Sequence, residues 1–390
     1  MSGTSISPSA DPIRTSPRHV LLWGTFDTGK PRIRILRDAI EASGAKLEQV
    51  HANVWGAVED KSQIRGLLAP LTIFWRMLLA YPTLLWRLCK APRPDIILVS
   101  YPGLLDAVLA AVIGRWRAIP VCLDVFISIY DTVVLDRGLL RPASLAARAL
   151  FLIERFCLDR AQVLFMDTAT HARRMEALFG YPRFRMSHVW VGAEADRFPA
   201  EPSNPRIPGS PLKVLFYGQF IPLHGIATIV NAARLLQDSE VDWVIIGKGQ
   251  ESQRVDAMLD AVPLPRVKRL PWVDYRQLID HMRDADVCLG IFGTSDKAAS
   301  VIPNKIYQII AGARPFITRD SEAIRELITP APDAVLVPAG DPQALARSIL
   351  AMTERDFTPC PHRTLRDAIT PARIAEQFNA MLDAYLERAR

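Results

Sequence analysis

Long uninterrupted apolar runs are missing from this 390-residue sequence. In its most apolar helical stretch, 67–90, the longest gap without a charge runs from Met77 to Trp86, and Arg76 and Pro82 interrupt the pattern. A spanning helix needs roughly 20 apolar residues, so this stretch is too short to cross a bilayer. The first 17 residues are rich in Ser and Pro and have no apolar centre of the kind a secretory signal carries. They are expected to form a loose tail, and the protein is expected to be cytoplasmic. Cysteine is sparse: Cys89, Cys122, Cys157, Cys288 and Cys360 are scattered, odd in number and without CxxC or metal spacing. That argues against a disulfide framework, and no metal is expected. No GxGxxG turn follows a strand with an acidic residue about 20 positions on, which removes a nicotinamide dehydrogenase. The net charge is a modest +6, and no aromatic-basic motif accompanies it. Nucleic acid is therefore not an expected partner, whereas a phosphate-bearing ligand or an anionic membrane suits a mildly basic face.

The chain exceeds the comfortable size of one core, so two domains are expected. Apolar strand patterns at 19–24, 95–100, 119–126, 162–166 and 188–192 alternate with helical patterns at 33–42, 67–90, 104–113 and 145–158, and with a helix that 167–170 caps and Leu178 ends. Residues 201–211 hold four prolines and few apolar residues, and read as a linker. Strands at 212–218, 242–247, 267–271, 287–292, 316–318 and 334–338 then alternate with helices at 226–236, 275–284 and 342–353, and a last helix runs over 371–390. Such alternation implies parallel sheets. The expected architecture is α/β, with two facing Rossmann-like, doubly wound domains and a cleft between them. The divisions are the tail 1–17, an N-terminal domain 18–203, a C-terminal domain 204–370 and a closing helix 371–390.

The stretch 301–318 carries the most chemistry. A buried strand pattern ends at Gly293, Pro303 opens a helix with Ile306, Ile309 and Ile310 along one side, and Gly312 and Pro315 stop it. Proline suits a first helical turn, because the amide it lacks would be unpaired there. The mouth of a strand-loop-helix collects free backbone amides and the positive end of the helix dipole, a natural seat for phosphate. Lys305 adds a cation one turn in. Gly218 and Gly225 bracket one loop after a strand, and Gly247 and Gly249 follow another; glycines there let backbone amides approach a phosphate closely. Gly29, Lys30, Arg32 and Arg34 lie near the first strand's loop, where they suit a diphosphate or, equally, a solvated helix start.

This segment resembles the donor-site helix of the large retaining glycosyltransferase family 4, which has the GT-B fold. One branch of that family shows Pro-Asn-Lys, then Tyr-Glu, then a small-residue turn and a proline. The matching residues are Pro303, Asn304, Lys305, Tyr307, Gln308 and Pro315. The stretch from Val191 and Gly192 to Phe198 is similar to the family's interdomain loop. The likeness is close in the C-terminal half and loose in the N-terminal half. It implies an enzyme that moves a sugar from a nucleotide-sugar donor to a glycan or polyprenyl-linked acceptor, with retention, in the synthesis of surface polysaccharide or glycolipid. It calls for no cofactor.

The departures matter as much. In the family an Arg follows the first glycine of the 218–225 loop and a Lys precedes the last, and both grip the diphosphate. Here they are Gln219 and His224, and an unperturbed imidazole is mostly neutral at pH 7. Gln308 stands where a Glu usually holds the donor ribose, and it offers a neutral amide in place of a charged acceptor. Lys305, helped by Lys297, is expected to supply the missing charge, and the nucleobase is expected near Trp272 and Val273. On the other side, 123–131 is similar to an acidic family segment. Asp131 is expected to touch the acceptor hydroxyl and Asp124 to orient from within; capping a loop is the other reading of Asp131.

Residues 67–90 mix Trp, Leu and Phe with Arg, the composition of a helix lying in a membrane interface, here the inner membrane surface. A helix buried on the sheet is the alternative. Two rival functions share the architecture. A sugar-nucleotide epimerase needs acid–base side chains around the sugar's second carbon, and the sequence offers no such set. A catalytically silent partner subunit would account for Gln219, His224 and Gln308.

Overall fold

The computed structural model describes residues 17–55, 68–201, 209–355, 357 and 359–389. Residues 1–16 of the expected tail, the start of the expected 67–90 helix and residues 202–208 of the expected linker lie outside them.

The first half runs β1 (His19–Gly24), α1 (Pro31–Ala42), β2 (Lys46–His51), α2 (Leu68–Lys90), β3 (Ile96–Val99), α3 (Leu104–Arg117), β4 (Val121–Asp124), α4 (Leu145–Leu158), β5 (Val163–Met166), α5 (Ala169–Phe179) and β6 (Met186–His188). A short π-helical turn, Asp131–Asp136, lies between β4 and α4. The second half runs β7 (Leu212–Tyr217), α6 (Ile226–Leu235), β8 (Val241–Ile246), α7 (Ser252–Ala261), β9 (Val267–Leu270), α8 (Tyr275–Asp284), β10 (Val287–Leu289), α9 (Asp296–Ser300), α10 (Asn304–Ala311), β11 (Phe316–Arg319), β12 (Ala334–Val337), α11 (Pro342–Thr353), α12 (Arg363–Ala368) and α13 (Pro371–Ala389).

Each half contains a six-stranded sheet, in the orders β2-β1-β3-β4-β5-β6 and β12-β11-β10-β7-β8-β9. The pairings are parallel, with Val20 opposite Ile96 and Val214 opposite Val287. Every residue of β3, β4, β5, β10 and β11 is buried, as strands covered by helices on both faces must be. Strand order reverses between β1 and β3 and between β7 and β10. In doubly wound sheets, ligands sit beyond the strands' carboxyl ends at such points.

Two tethers shape the first half. Asp106 on α3 is buried; it accepts from the Tyr81 hydroxyl at 2.8 Å and from the Thr25 amide at 2.7 Å. That holds α2 and the loop after β1 to α3. The other tether is α13, which leaves the second half and packs back on the first. Gln377 accepts from the Trp190 amide at 2.9 Å, and the Phe378 ring meets Phe165 edge-on, with centroids 6.1 Å apart.

Candidate functional site

Three loops stack at the carboxyl edge of the second sheet: one after β7, one after β8 and one after β10. Their contact depends on missing side chains. A Cβ on Gly247, where φ is +146°, would lie 1.8 Å from the Gly218 carbonyl oxygen. A Cβ on Gly225, where φ is +64°, would lie 2.5 Å from the Gly293 amide nitrogen. Gly249 closes against the backbone of Phe220 in the same way. Main chain thus lines this edge of the cleft.

Lys305 comes up beneath these loops from the first turn of α10. It is only 5% exposed. Its Nζ sits 3.7 Å from the centroid of the Phe216 ring, donates to the Gly290 carbonyl at 3.4 Å, and lies 2.9 Å from where a Gly218 Cβ would stand. Burial pulls the ammonium's pKa well below its ordinary value. Among the described residues no carboxylate pairs with it. A cation buried without an anion is costly, and the first and third loops are its nearest company. Pro303 is buried at the N-cap of α10, and Asn304 is that helix's first residue.

His224 does not restore the family's lost lysine charge. Its Nδ1 donates to the Gln219 carbonyl, which closes the loop on itself. Burial, and then the nearby Lys305, push its pKa well below the usual imidazole value, so the ring is neutral. Gln308 accepts from the Tyr217 hydroxyl at 3.1 Å. Trp272 is half exposed and Val273 half-buried in the loop between β9 and α8.

Lys297, expected with Lys305, points elsewhere. From α9 it crosses to the first half, donates to the Thr132 hydroxyl and stands 3.6 Å from Asp131 Oδ2. Asp131 is fully buried, and its other oxygen accepts from Arg174 at 2.6 Å. Burial pushes the Asp131 carboxyl upward, but Arg174 and Lys297 outweigh it and hold the group below the usual carboxylate range. The loop before Asp131 is fixed by Glu154 on α4, which accepts from the amides of Ile129 at 3.0 Å and Tyr130 at 2.7 Å. Asp131 is thus the centre of a charge cluster that bridges the halves.

Arg32 and Asp124 form a different centre. Arg32 is 1% exposed and grips Asp124 through two nitrogens, at 3.0 and 3.1 Å. Its remaining Nη1 donates to the carbonyls of Val189 and Trp190 at 2.7 and 2.8 Å. The guanidinium therefore turns into the core, away from the loop where a diphosphate was expected. Both oxygens of Asp124 are spent on it. Gly29 donates to Asp27 at 3.0 Å, Lys30 is the N-cap residue of α1, and Arg34 pairs with Glu194 at 2.6 Å.

Several contributors had no sequence signal. Glu326, in the second half, accepts from the amides of Ala169 at 2.9 Å and Thr170 at 2.7 Å, capping α5 of the first half. Thr168 donates to the Ser300 carbonyl, Ser295 to Asp136 at 2.8 Å, and Gln250 to the Arg137 carbonyl at 3.2 Å. No periodicity marks residues that meet only when two domains close. Among the described residues, no group of three or more His, Cys, Asp or Glu is placed to hold a metal ion.

Residues 32–192 match the family described as glycosyl transferase 4-like domain, and residues 211–355 match the family described as glycosyl transferases group 1. A relative, the amylovoran biosynthesis glycosyltransferase AmsK of Erwinia amylovora, is 24% identical over 186 residues. That match spans 47% of this chain and 45% of the relative, so about half of each. Among solved structures, Anabaena Alr3699/HepE in complex with UDP superposes with a TM-score of 0.63 at 13% identity, covering 95% of this chain and 100% of that one. Sucrose-phosphate synthase from Thermosynechococcus elongatus superposes with a TM-score of 0.66 at 16% identity, covering 96% of this chain and 97% of that one. One glycosyltransferase family matches each half, and the two halves adopt the arrangement of these neighbours: the chain is a glycosyltransferase of the GT-B fold.

Proposed function

We propose that the chain transfers a sugar from a nucleotide-sugar donor to a glycan or lipid-linked acceptor, with retention, in the building of surface polysaccharide or glycolipid. The observation that carries this reading is Lys305, a cation buried beneath the glycine loops and without a carboxylate partner among the described residues. A diphosphate supplies the anion that this position lacks. Its leaving charge grows as the glycosidic bond breaks, and preorganised amides and an ammonium stabilise it most at that moment. Structural neighbours carry UDP and UDP-glucose, in keeping with such a donor. Gln308 would take the ribose, as a neutral amide that still accepts and donates. The acceptor enters from the first half, and closure of the halves aligns the substrates and excludes water.

The inner membrane surface is the proposed setting. No helix of the described residues is long and apolar enough to span a bilayer. On α2, however, Phe74, Trp75, Leu79 and Trp86 are each more than half exposed. Arg76, Arg87 and Lys90 are exposed beside them, and no acidic residue occurs on the helix. Trp116 on α3 and Leu152 and Ile153 on α4 are exposed as well. An apolar face edged by cations suits the headgroup region of an anionic bilayer.

The test starts with a thermal-shift screen of the purified chain against UDP, GDP and ADP and their sugars. Release of nucleoside diphosphate only when a glycan or lipid acceptor is added supports transfer. Binding with no turnover across acceptors favours the silent partner subunit, a reading that Gln219, His224 and Gln308 keep in play. If no nucleotide or nucleotide sugar binds, the transferase reading fails.

A further inference from the structure

The 218–225 loop has no charged side chain of its own, because Gln219 is an amide and His224 is a neutral ring. We propose that Arg137, from the opposite half of the molecule, is the guanidinium that grips the donor diphosphate. The inference rests on the proposed nucleotide-sugar reading and adds a binding residue to it.

The backbone around Arg137 is held against the donor loops. Its amide donates to the Thr132 carbonyl at 3.0 Å and ends the π-helical turn. Its carbonyl accepts from Gln250, in the loop after β8, at 3.2 Å. The preceding Asp136 accepts from Ser295, at the head of α9, at 2.8 Å. Arg137 is thereby pinned between the segments that follow β8 and β10. Its side chain is half-buried, and its Nε is shielded from solvent with no hydrogen-bond partner. It forms no ion pair among the described residues. The groups that feel its charge are His224 and Lys297, both of which it makes harder to protonate. Arg137 and Lys305 thus bring two cations to His224 and the glycine loops, a gathering that leaves out Lys297, which pairs with Asp131.

Such a gathering is repulsive when empty and is relieved by a multiply charged anion. A guanidinium binds phosphate oxygens in a fixed fork that an ammonium cannot copy. Supplying it from the acceptor half has a consequence that an arginine at position 219 would lack. The donor would be fully gripped only when the halves are closed, so closure and donor binding reinforce each other.

The experiment measures affinities of the full chain for whichever of UDP, GDP and ADP it binds most tightly, and for the matching monophosphate and nucleoside. For Arg137→Ala the diphosphate affinity is expected to fall tenfold or more, the monophosphate affinity less, and the nucleoside affinity not at all. Arg137→Gln, which keeps the stem and the backbone contacts, is expected to behave the same way. Adding Gln219→Arg to Arg137→Ala is expected to recover most of the loss, since it returns a guanidinium from the other side. Diphosphate affinity within twofold of the unaltered chain overturns the proposal. An equal loss for the bare nucleoside also overturns it, because that marks a structural defect. A loss that Gln219→Arg leaves untouched counts against it too. If the unaltered chain binds none of the three diphosphates, the nucleotide-sugar reading itself fails; binding that Arg137→Ala does not weaken sinks only the present inference.

Discussion

Asp131 and Lys297 belong to different halves of the molecule, yet Lys297 Nζ stands 3.6 Å from Asp131 Oδ2 and also donates to the adjacent Thr132. The contact makes the charge state of one domain a condition for the closure of the other. Arg174 holds the second Asp131 oxygen from within its own half.

Lys297→Met removes the cross-domain partner and leaves Arg174 in place. The expected cost is about 1.5–3 kcal/mol, the scale of a hydrogen bond to a charged group, read by urea unfolding at neutral pH. The pH dependence has a definite sign. The folded Asp131 carboxyl lies below its ordinary value, so its contribution is present above the unfolded pKa near 4 and is lost as pH falls through the depressed folded value. Without Lys297 the depression shrinks. The acid edge of stability at this group should move to higher pH, and an unmoved edge would argue that Arg174 alone sets it.

Asp124→Asn tests the other buried pair. Arg32 would keep its charge and lose its anion and one of its four hydrogen bonds, and breaking a buried pair from one side costs about 3–5 kcal/mol. Nucleotide affinity should stay unchanged in protein that remains folded, because Arg32 faces Val189 and Trp190 and not the cleft. A selective loss of donor binding would mean that Arg32 has a second role.

These two pairs mark how far the sequence could be read. Most strands of both sheets were legible because strands covered on both faces are written as apolar runs, as in Ile96–Val99 and Val287–Leu289, whereas β6 runs over Met186–His188 and not over the expected 188–192. β2 escaped because it is an edge strand in which only Val50 is buried. α7 escaped because it buries only Val255, and α9 because it has five residues. The Lys305 position was legible through a local motif, since a helix's first turn determines where its side chain points. Arg32 was not, because an arginine near a loop reads the same whether it faces solvent or an aspartate 92 positions away. Arg174, Glu326 and Arg137 act across distances in sequence that no local pattern records.

Lys305→Ala should weaken binding of UDP, or of the preferred diphosphate, on the order of 10–100-fold, with little effect on folding, since it removes a buried charge. The native residue predicts a further signature. Burial holds the free ammonium's pKa well below its ordinary value, and a bound diphosphate should raise it again. Binding is then full below the free-state pKa and weakens as pH rises toward the bound-state pKa. Calorimetry in buffers of different ionisation enthalpy should report proton uptake on binding, and the uptake should vanish in Lys305→Ala. Equal uptake in both proteins would assign the proton to another group.

Trp75 and Trp86 test the membrane face. Both are more than half exposed, at 53% and 63%, so replacing them with Ser removes little from the core. Thermal stability should hardly change. Membrane affinity should change a great deal: at about 1.5 kcal/mol for each indole taken into the interface, losing two lowers the partition coefficient on the order of 100-fold. The arginines and Lys90 beside them add an attraction that depends on anionic lipid and is screened by salt. Binding to vesicles rich in phosphatidylserine should therefore exceed binding to phosphatidylcholine vesicles, and the excess should fade as salt is raised. The double substitution should weaken both. If the altered chain sediments with anionic vesicles as well as the native one does, α2 does not lie in the interface, and its exposed aromatics must meet some other surface.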